Sequence, residues 1–323
     1  MTRIVTRTIY GAELQTCKEI GKPHTMTQQG CLSDAILTNY AGTVNIIDNL
    51  PAVLTEGQDI IPSAWDPETD TDNARLGYFC IGNGAHRAVS GGTGGTVSLQ
   101  PQPHRAWDSG PYHLIPFVIR ELAVGTNATD GDLTPVQRQN YRLRRILTKG
   151  GKRYAAYFAK KLNFADAAVV RELVTVTNGN SSVSAFSPVD SNMKPTIPTS
   201  VSNTDTTLLR VSAAIEVPFG PTDVEELRNV CEVLYGDVNA AVISECLFCH
   251  GVDRTVVNQY PLTGVQTPVD RFSALPVDQR PKEVVGMQVS IYMTTAQSAA
   301  LSDDLGFNMN VGASEPLYGD LVV

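Results

Sequence analysis

Residues 141–161 read YRLRRILTKGGKRYAAYFAKK, and the fold turns on whether this stretch coils or extends. Just upstream, TPVQ offers Thr134 as an N-cap, Pro135 at the first helical position and Gln137 as the reciprocal partner of a capping box. Val136, Leu143, Ile146 and Leu147 fall on one face of a helix that Gly150-Gly151 would end. From Arg153, the residues Tyr154, Tyr157, Phe158, Lys161 and Leu162 again follow helical spacing. The reading is a basic helical pair over 135–162.

The same region sets the charge pattern. From Arg138 to Lys161 the chain holds nine of its 25 basic residues and no acid. The protein as a whole carries −8, so the remainder holds −17. Such segregation predicts a surface that meets an oppositely charged partner, either an acidic protein or a nucleic acid. Arg142, Arg144, Arg145, Lys152 and Arg153, with tyrosines interleaved, are the candidate contact residues.

Outside this segment the pattern is mostly β. Short runs such as TVNIID, LGYFCIG and HLIPFVIREL are divided by Gly, Pro and Asn turns. RELVTVTNGNSSVSAF alternates about Asn178-Gly179, a strong short hairpin signal because both residues tolerate positive φ. In the second half, Thr222 and Glu225 form a possible capping box. Val224, Leu227, Val230, Cys231 and Leu234 stripe one amphipathic helix, which Gly236 stops. VVGMQVSIYMTT places Val285, Met287, Val289, Ile291 and Met293 on one strand face. The expected fold is therefore α+β: β-rich with antiparallel sheets, a basic helical pair near the middle and one amphipathic helix in the second half. The Ser/Thr/Pro-rich stretch 187–207 reads as a linker between an N-terminal domain (1–186) and a C-terminal domain (208–323) that ends in an extended arm.

Several stretches invite a chemical reading and fall short of it. Asp66, Glu68, Asp70 and Asp72 alternate as calcium-loop ligands do, but Thr71 and Gly77 stand where an EF-hand needs Gly and Glu. GNGAHR lacks the third glycine of a dinucleotide loop and the Gly-Lys-Ser/Thr of a P-loop, so Gly82 and Gly84 are read as a tight turn with Asn83 left-handed. CLFCH at 246–250 matches the haem-attachment pattern, yet it sits in an apolar run and reads as buried thiols with a histidine at a strand end. His86, His104 and His113 with Asp108 lie in a Pro-rich loop where hydrogen bonding is the commoner role. The expectation is no catalytic residue, no metal and no cofactor. The six cysteines are expected to be free thiols in a reducing compartment. No run approaches the roughly 20 apolar residues of a membrane helix.

LPAVLTEGQDIIPSAWDPETDTDNARLGYFCIGNGAHR, PHRAWDSGPYHLIPFVIREL and YRLRRILTKGGKRYAAYFAKKL resemble segments of virion structural proteins of tailed bacteriophages, in particular tail and baseplate proteins of the wedge kind. The resemblance implies a particle subunit, assembled in the host cytoplasm, whose partners are other virion proteins and copies of itself. It brings no functional residue set. Three contact surfaces are expected: the basic face just described; the loop around Trp65, Asp70 and Asp72; and the arm Gly306 to Val323, with Tyr318. Trp65 and Trp107 are the only tryptophans, and each is a candidate interface anchor. A nucleic-acid-binding protein that uses 135–162 is the alternative.

Overall fold

The computed structural model describes residues 4–22, 24, 32, 45–47, 74–90, 97–108, 110–123, 131–164, 167–177, 180–188, 207–256, 258–259, 269–270, 272–298 and 305–316. Trp65, Asp70, Asp72 and Tyr318 lie outside the described residues, as does most of 187–207.

The deciding stretch is extended. Strand β8 (Tyr141–Lys149) and strand β9 (Lys152–Lys161) form an antiparallel hairpin, with Lys149 opposite Lys152. Gly150 and Gly151 close it at φ 58° and 78°, the positive pair that a two-residue turn with right-handed strand twist demands. Of the expected first helix only one turn forms, α2 (Pro135–Arg138). Its capping box is as expected: the Gln137 N–H donates to Thr134 Oγ1 at 3.3 Å and the Thr134 N–H to Gln137 Oε1 at 3.0 Å. Helical spacing misled because β9 lies inside a sheet that is covered on both faces. Ala155 through Ala159 are all buried, so no alternation survives to mark the strand.

The basic face is likewise corrected. Arg144 and Asp132 are both 0% exposed at the side chain and pair at 2.8 Å, with Tyr157 donating to the same carboxylate at 2.8 Å. Arg142 is buried and reaches Asp253 at 2.7 Å. Arg145 is buried, and its guanidinium donates to the Arg144 carbonyl at 2.8 Å. Lys149 Nζ donates to the Val233 carbonyl (2.8 Å) and to that of Leu234, at the end of α3 (Pro221–Tyr235), while Lys160 pairs with Asp223 in its first turn at 3.1 Å. Lys152 is exposed and pairs with Glu121 at 2.8 Å; Arg153 is half-buried. The oppositely charged partner of this segment is the protein itself, so Arg142, Arg144 and Arg145 offer no docking face to protein or phosphate. The acids come from elsewhere in the sequence, and for that reason the segment looked uncompensated.

The nine-stranded sheet that holds this hairpin runs β1 (Ile4–Arg7), β16 (Lys282–Ser298), β13 (Val242–Thr255), β3 (Arg75–Gly82), β9, β8 and β2 (Asn45–Ile47); β6 (Leu114–Ile115) pairs with β3 and β7 (Val118–Glu121) with β9. These strands pair antiparallel throughout. Leu143 alone among non-glycine described residues has positive φ (52°), and its N–H leaves the ladder for Glu283 Oε1 at 2.8 Å.

Helix α3 packs Val224, Leu227, Val230, Cys231 and Leu234 inward, the stripe expected, and stops at Gly236 in the left-handed region. Its cap lies two residues earlier than expected: Gly220 is the N-cap, Pro221 the first helical residue, and Asp223 accepts the Gly220 N–H at 3.3 Å. Helix α1 (Ile9–Glu19) was not foreseen, since only Gly11 and Leu14 are buried along it. A Cβ on Gly11 would stand 2.2 Å from the Ser290 carbonyl oxygen, so the helix approaches β16 only because the side chain is missing.

The chain separates into two compact units, residues 1–162 with 220–305 and residues 163–219 with 306–323. This division crosses the sequential split expected at 187–207. The second unit is a four-stranded antiparallel sheet in the order β11 (Asn180–Ala185), β10 (Val169–Thr177), β12 (Thr207–Phe219) and β17 (Leu305–Pro316). The hairpin about 178–179 is as read, with Thr177 opposite Asn180. The expected arm is, over its described part, the edge strand β17. A smaller hairpin, β4 (His86–Ser90) with β5 (Val97–Pro101), and the short pair β14 (Asn258–Gln259) with β15 (Val269–Asp270) complete the first unit.

Asp132→Ala strands the Arg144 guanidinium at zero exposure and is expected to lower the unfolding free energy by about 3–5 kcal/mol; Lys152→Ala, at an exposed and solvent-screened pair, has a much smaller effect. Urea denaturation of both variants checks this, and equal effects would refute the internal role of the basic segment.

Candidate functional site

One acid organises the most elaborate loop of the first unit. Glu245 sits inside the apolar strand β13 at 0% exposure. Its Oε1 accepts the Tyr112 N–H (2.7 Å) and His104 Nε2 (3.0 Å), and its Oε2 accepts the N–H groups of His113 (2.9 Å) and Gly84 (3.3 Å). Both oxygens are saturated with donors, so this carboxylate holds backbone in place and is not available to a metal or a substrate proton. Beside it, Ser244 Oγ accepts the Ala85 N–H at 3.0 Å, and the Asn83 N–H donates to the His113 carbonyl at 3.0 Å.

Close approach explains the glycines of GNGAHR. A Cβ at Gly82 would lie 2.4 Å from the His113 oxygen, and one at Gly84 would lie 2.6 Å from Tyr112 Cβ. Neither these glycines nor Asn83 is left-handed, so the expected positive-φ turn is replaced by a steric requirement.

The loop from 102 to 113 is pinned from every side. His104 is buried and stacks on Tyr292 with centroids 3.9 Å apart and planes 8° from parallel. Its Nδ1 faces Asp108 Oδ2 at 3.9 Å. Asp108 accepts the Arg105 N–H at 2.7 Å and pairs with its guanidinium at 2.9 Å. Burial pushes the Asp108 carboxyl up, but these Arg105 donors outweigh it and hold the group below its ordinary range. Tyr112 OH donates to the Pro103 carbonyl at 3.3 Å, the Ile9 N–H to that of Ala106 at 2.7 Å, and Thr6 Oγ1 to that of His104 at 3.2 Å. Pro103, His104, Arg105, Asp108, Gly110 and Tyr112 enclose a recess of about 420 Å³. Of its lining residues Tyr112 is 47% exposed, and the Arg105 guanidinium lies 5.3 Å from the ring centroid of Trp107, which is 67% exposed.

Of the expected histidine group, His104 and Asp108 do meet, but His113 turns to the Tyr235 hydroxyl at 2.8 Å and His86 lies apart on β4. Glu245 was missed; its only signal was a lone acid in the apolar run AAVISECLFC. Within CLFCH, Cys246 and Cys249 are buried on β13, as the apolar run suggested, and His250 is buried with them inside the strand, which runs on to Thr255, and not at its end. His250 meets His24 at 3.1 Å between Nε2 atoms and Ser290 Oγ at 2.6 Å through Nδ1. Burial first, then the neighbouring His24 and Lys18, push its pKa down to about 3, so the ring is neutral at physiological pH. Among the described residues no group of three or more His, Cys, Asp or Glu side chains is placed to hold a metal, and no helix is long and apolar enough to cross a membrane.

Residues 59–323 match the model of a family of unknown function, DUF7208. The chain belongs to that family. No curated protein and no solved structure matches it. In this DUF7208 chain the matched span includes the Glu245 loop, the β8–β9 hairpin and α3.

Two measurements check these assignments. Glu245→Gln replaces an acceptor oxygen with a donor, so hydrogen-exchange protection of the Tyr112 and His113 amides falls about ten- to a hundredfold; unchanged protection would show that the loop is held otherwise. His250 resists protonation when folded and accepts it near pH 6.5 when unfolded, so its contribution is full above that pH and is lost as pH falls toward 3. Between pH 6.5 and 5, wild-type unfolding free energy should decline more steeply than that of His250→Gln, the difference approaching about 1.4 kcal/mol per pH unit. Parallel curves in urea unfolding would contradict it.

Proposed function

We propose that this protein is a structural subunit of a tailed-bacteriophage particle, in the tail, baseplate or neck. It is assembled in the host cytoplasm, carried in the virion, and acts by fitting against other virion proteins and copies of itself. The observation that carries the reading is Trp107, a large aromatic turned to solvent on a loop whose backbone is fixed by a buried carboxylate. Ordering that loop costs nothing further on association, and a rigid exposed Trp or Tyr is the side-chain type that anchors protein interfaces. Tyr112 and the Arg105 guanidinium extend the same patch. The resemblance of PHRAWDSGPYHLIPFVIREL to phage structural proteins includes this loop, and the partner-facing role passes from the basic segment, whose arginines are internal, to the aromatic one.

The test is complementation. Trp107→Ala should leave the thermal unfolding temperature within a few degrees of wild type, since that side chain is 67% exposed, while removing the subunit from purified particles. The loss of an anchor of at least about 2 kcal/mol corresponds to contacts roughly thirtyfold weaker. Particles with normal subunit content would refute the anchor.

A further inference from the structure

We propose that the His24–His250 pair is an acid-released latch: it closes helix α1 over the sheet of the first unit, and protonation of the pair frees α1 while the sheet stays folded. The latch is a property of this chain alone and does not depend on the assembly reading.

The two rings meet inside the protein with room for one proton between them. His24 and His250 are both buried, their Nε2 atoms are 3.1 Å apart and their planes lie 69° from parallel. Gln288 Oε1, an acceptor, stands 3.4 Å from His24 Nε2, so that nitrogen carries the proton and His250 Nε2 accepts it. His250 then keeps its own proton on Nδ1 and donates it to Ser290 Oγ at 2.6 Å. A second proton on the pair sets N–H against N–H and brings two imidazolium charges into contact. Among the described residues no carboxylate pairs with either ring to offset them. On β13, Glu245 is engaged with His104 and Asp253 with Arg142, while Glu13 and Glu19 of α1 are exposed. The charges that do bear on the site are cationic: Lys18 in the last turn of α1, and Arg75 on β3, which acts on Lys18. Leu76, the β3 residue opposite His250, is apolar. Burial, His24 and Lys18 accordingly keep the folded His250 ring neutral down to about pH 3.

What the latch holds is a lightly seated helix. The Thr8 N–H donates to the Ser290 carbonyl at 2.9 Å, and a Cβ on Gly11 would stand 2.2 Å from the same oxygen. The start of α1 and His24, beyond its end, are thus both fastened to residues 288–290 of β16. Between these attachments the helix buries only Gly11 and Leu14. An element with so little apolar burial opens at a lower free energy than the whole unit, so the loss of one attachment is enough to release it. Opening lets His250 take a proton at its ordinary value of about 6.5, which the closed form refuses, and acid therefore drives the equilibrium toward the open form.

Hydrogen exchange of the full chain, read as protection factors at about pH 7.5 and about pH 4.5, tests the latch. Proton uptake by His250 alone raises the opening equilibrium about a hundredfold between those values, so the amides of Ile9–Glu19 should lose about a hundredfold in protection. Those of 154–158 in β9 should stay better protected than α1 at both. In His250→Gln the loss over α1 should be no more than about tenfold. A second variant, Gly11→Ala, forces the helix off Ser290 and should show low protection over α1 already at the higher pH, with little further loss in acid. Protection over α1 that is the same at both pH values in the wild type overturns the latch. Equal protection of α1 and β9 in acid also overturns it, because α1 then opens only when the whole unit unfolds.

Discussion

The first unit depends on charge neutralised inside it. Arg144 and Asp132 meet with no exposure on either side, and an isolated ion in that position would cost several kcal/mol. Their pairing lets a hairpin rich in arginine occupy interior positions of a nine-stranded sheet. Burial pushes the Asp132 carboxyl up, but Arg144 and Arg138 draw it below its ordinary value. The same segment fixes α3 at both ends, through Lys160 at its first-turn acid and Lys149 at its last carbonyls. Glu283 takes the amides of Leu143 and Arg144, which holds Leu143 at a positive φ that a branched side chain rarely adopts. One sheet, one helix and one strained backbone position therefore share a single electrostatic network.

That network also explains what the sequence disclosed and what it withheld. The Thr134 cap, the α3 stripe, the Gly236 stop and the hairpin about Asn178-Gly179 were legible because each is written within a few residues. The β8–β9 hairpin was not. Its strand signal is a period of two, which burial on both faces erases, and the spacing of Leu143, Ile146 and Leu147 suits a helix equally well. The Gly150-Gly151 pair that stops a helix also closes a hairpin, and only long-range pairing chooses between the two. Asp132 and Asp253 are 12 and 111 residues from their arginines, so no local window connects them. Trp107 was singled out from composition, but its exposure follows from Glu245, whose four donors come from three separate stretches of chain.

The surface has the complementary character. With the arginines of the hairpin turned inward, the exposed features of the first unit that stand out are aromatic: Trp107 and Tyr112 on a pinned loop. Rigid aromatic anchors suit repeated contact between protein subunits. Glu245 and the neutral His250 have partners that account for them structurally. The proposed role in a phage particle draws on these surfaces together with the resemblance of the loop and hairpin sequences.

The most direct measurement is a chain-traced electron cryo-microscopy map of a native particle that contains this protein. It should show Trp107 buried against a neighbouring subunit, with Arg142 and Arg144 still facing Asp253 and Asp132. Trp107 in bulk solvent, with those arginines turned outward onto an acidic neighbour or a phosphate backbone, would contradict it.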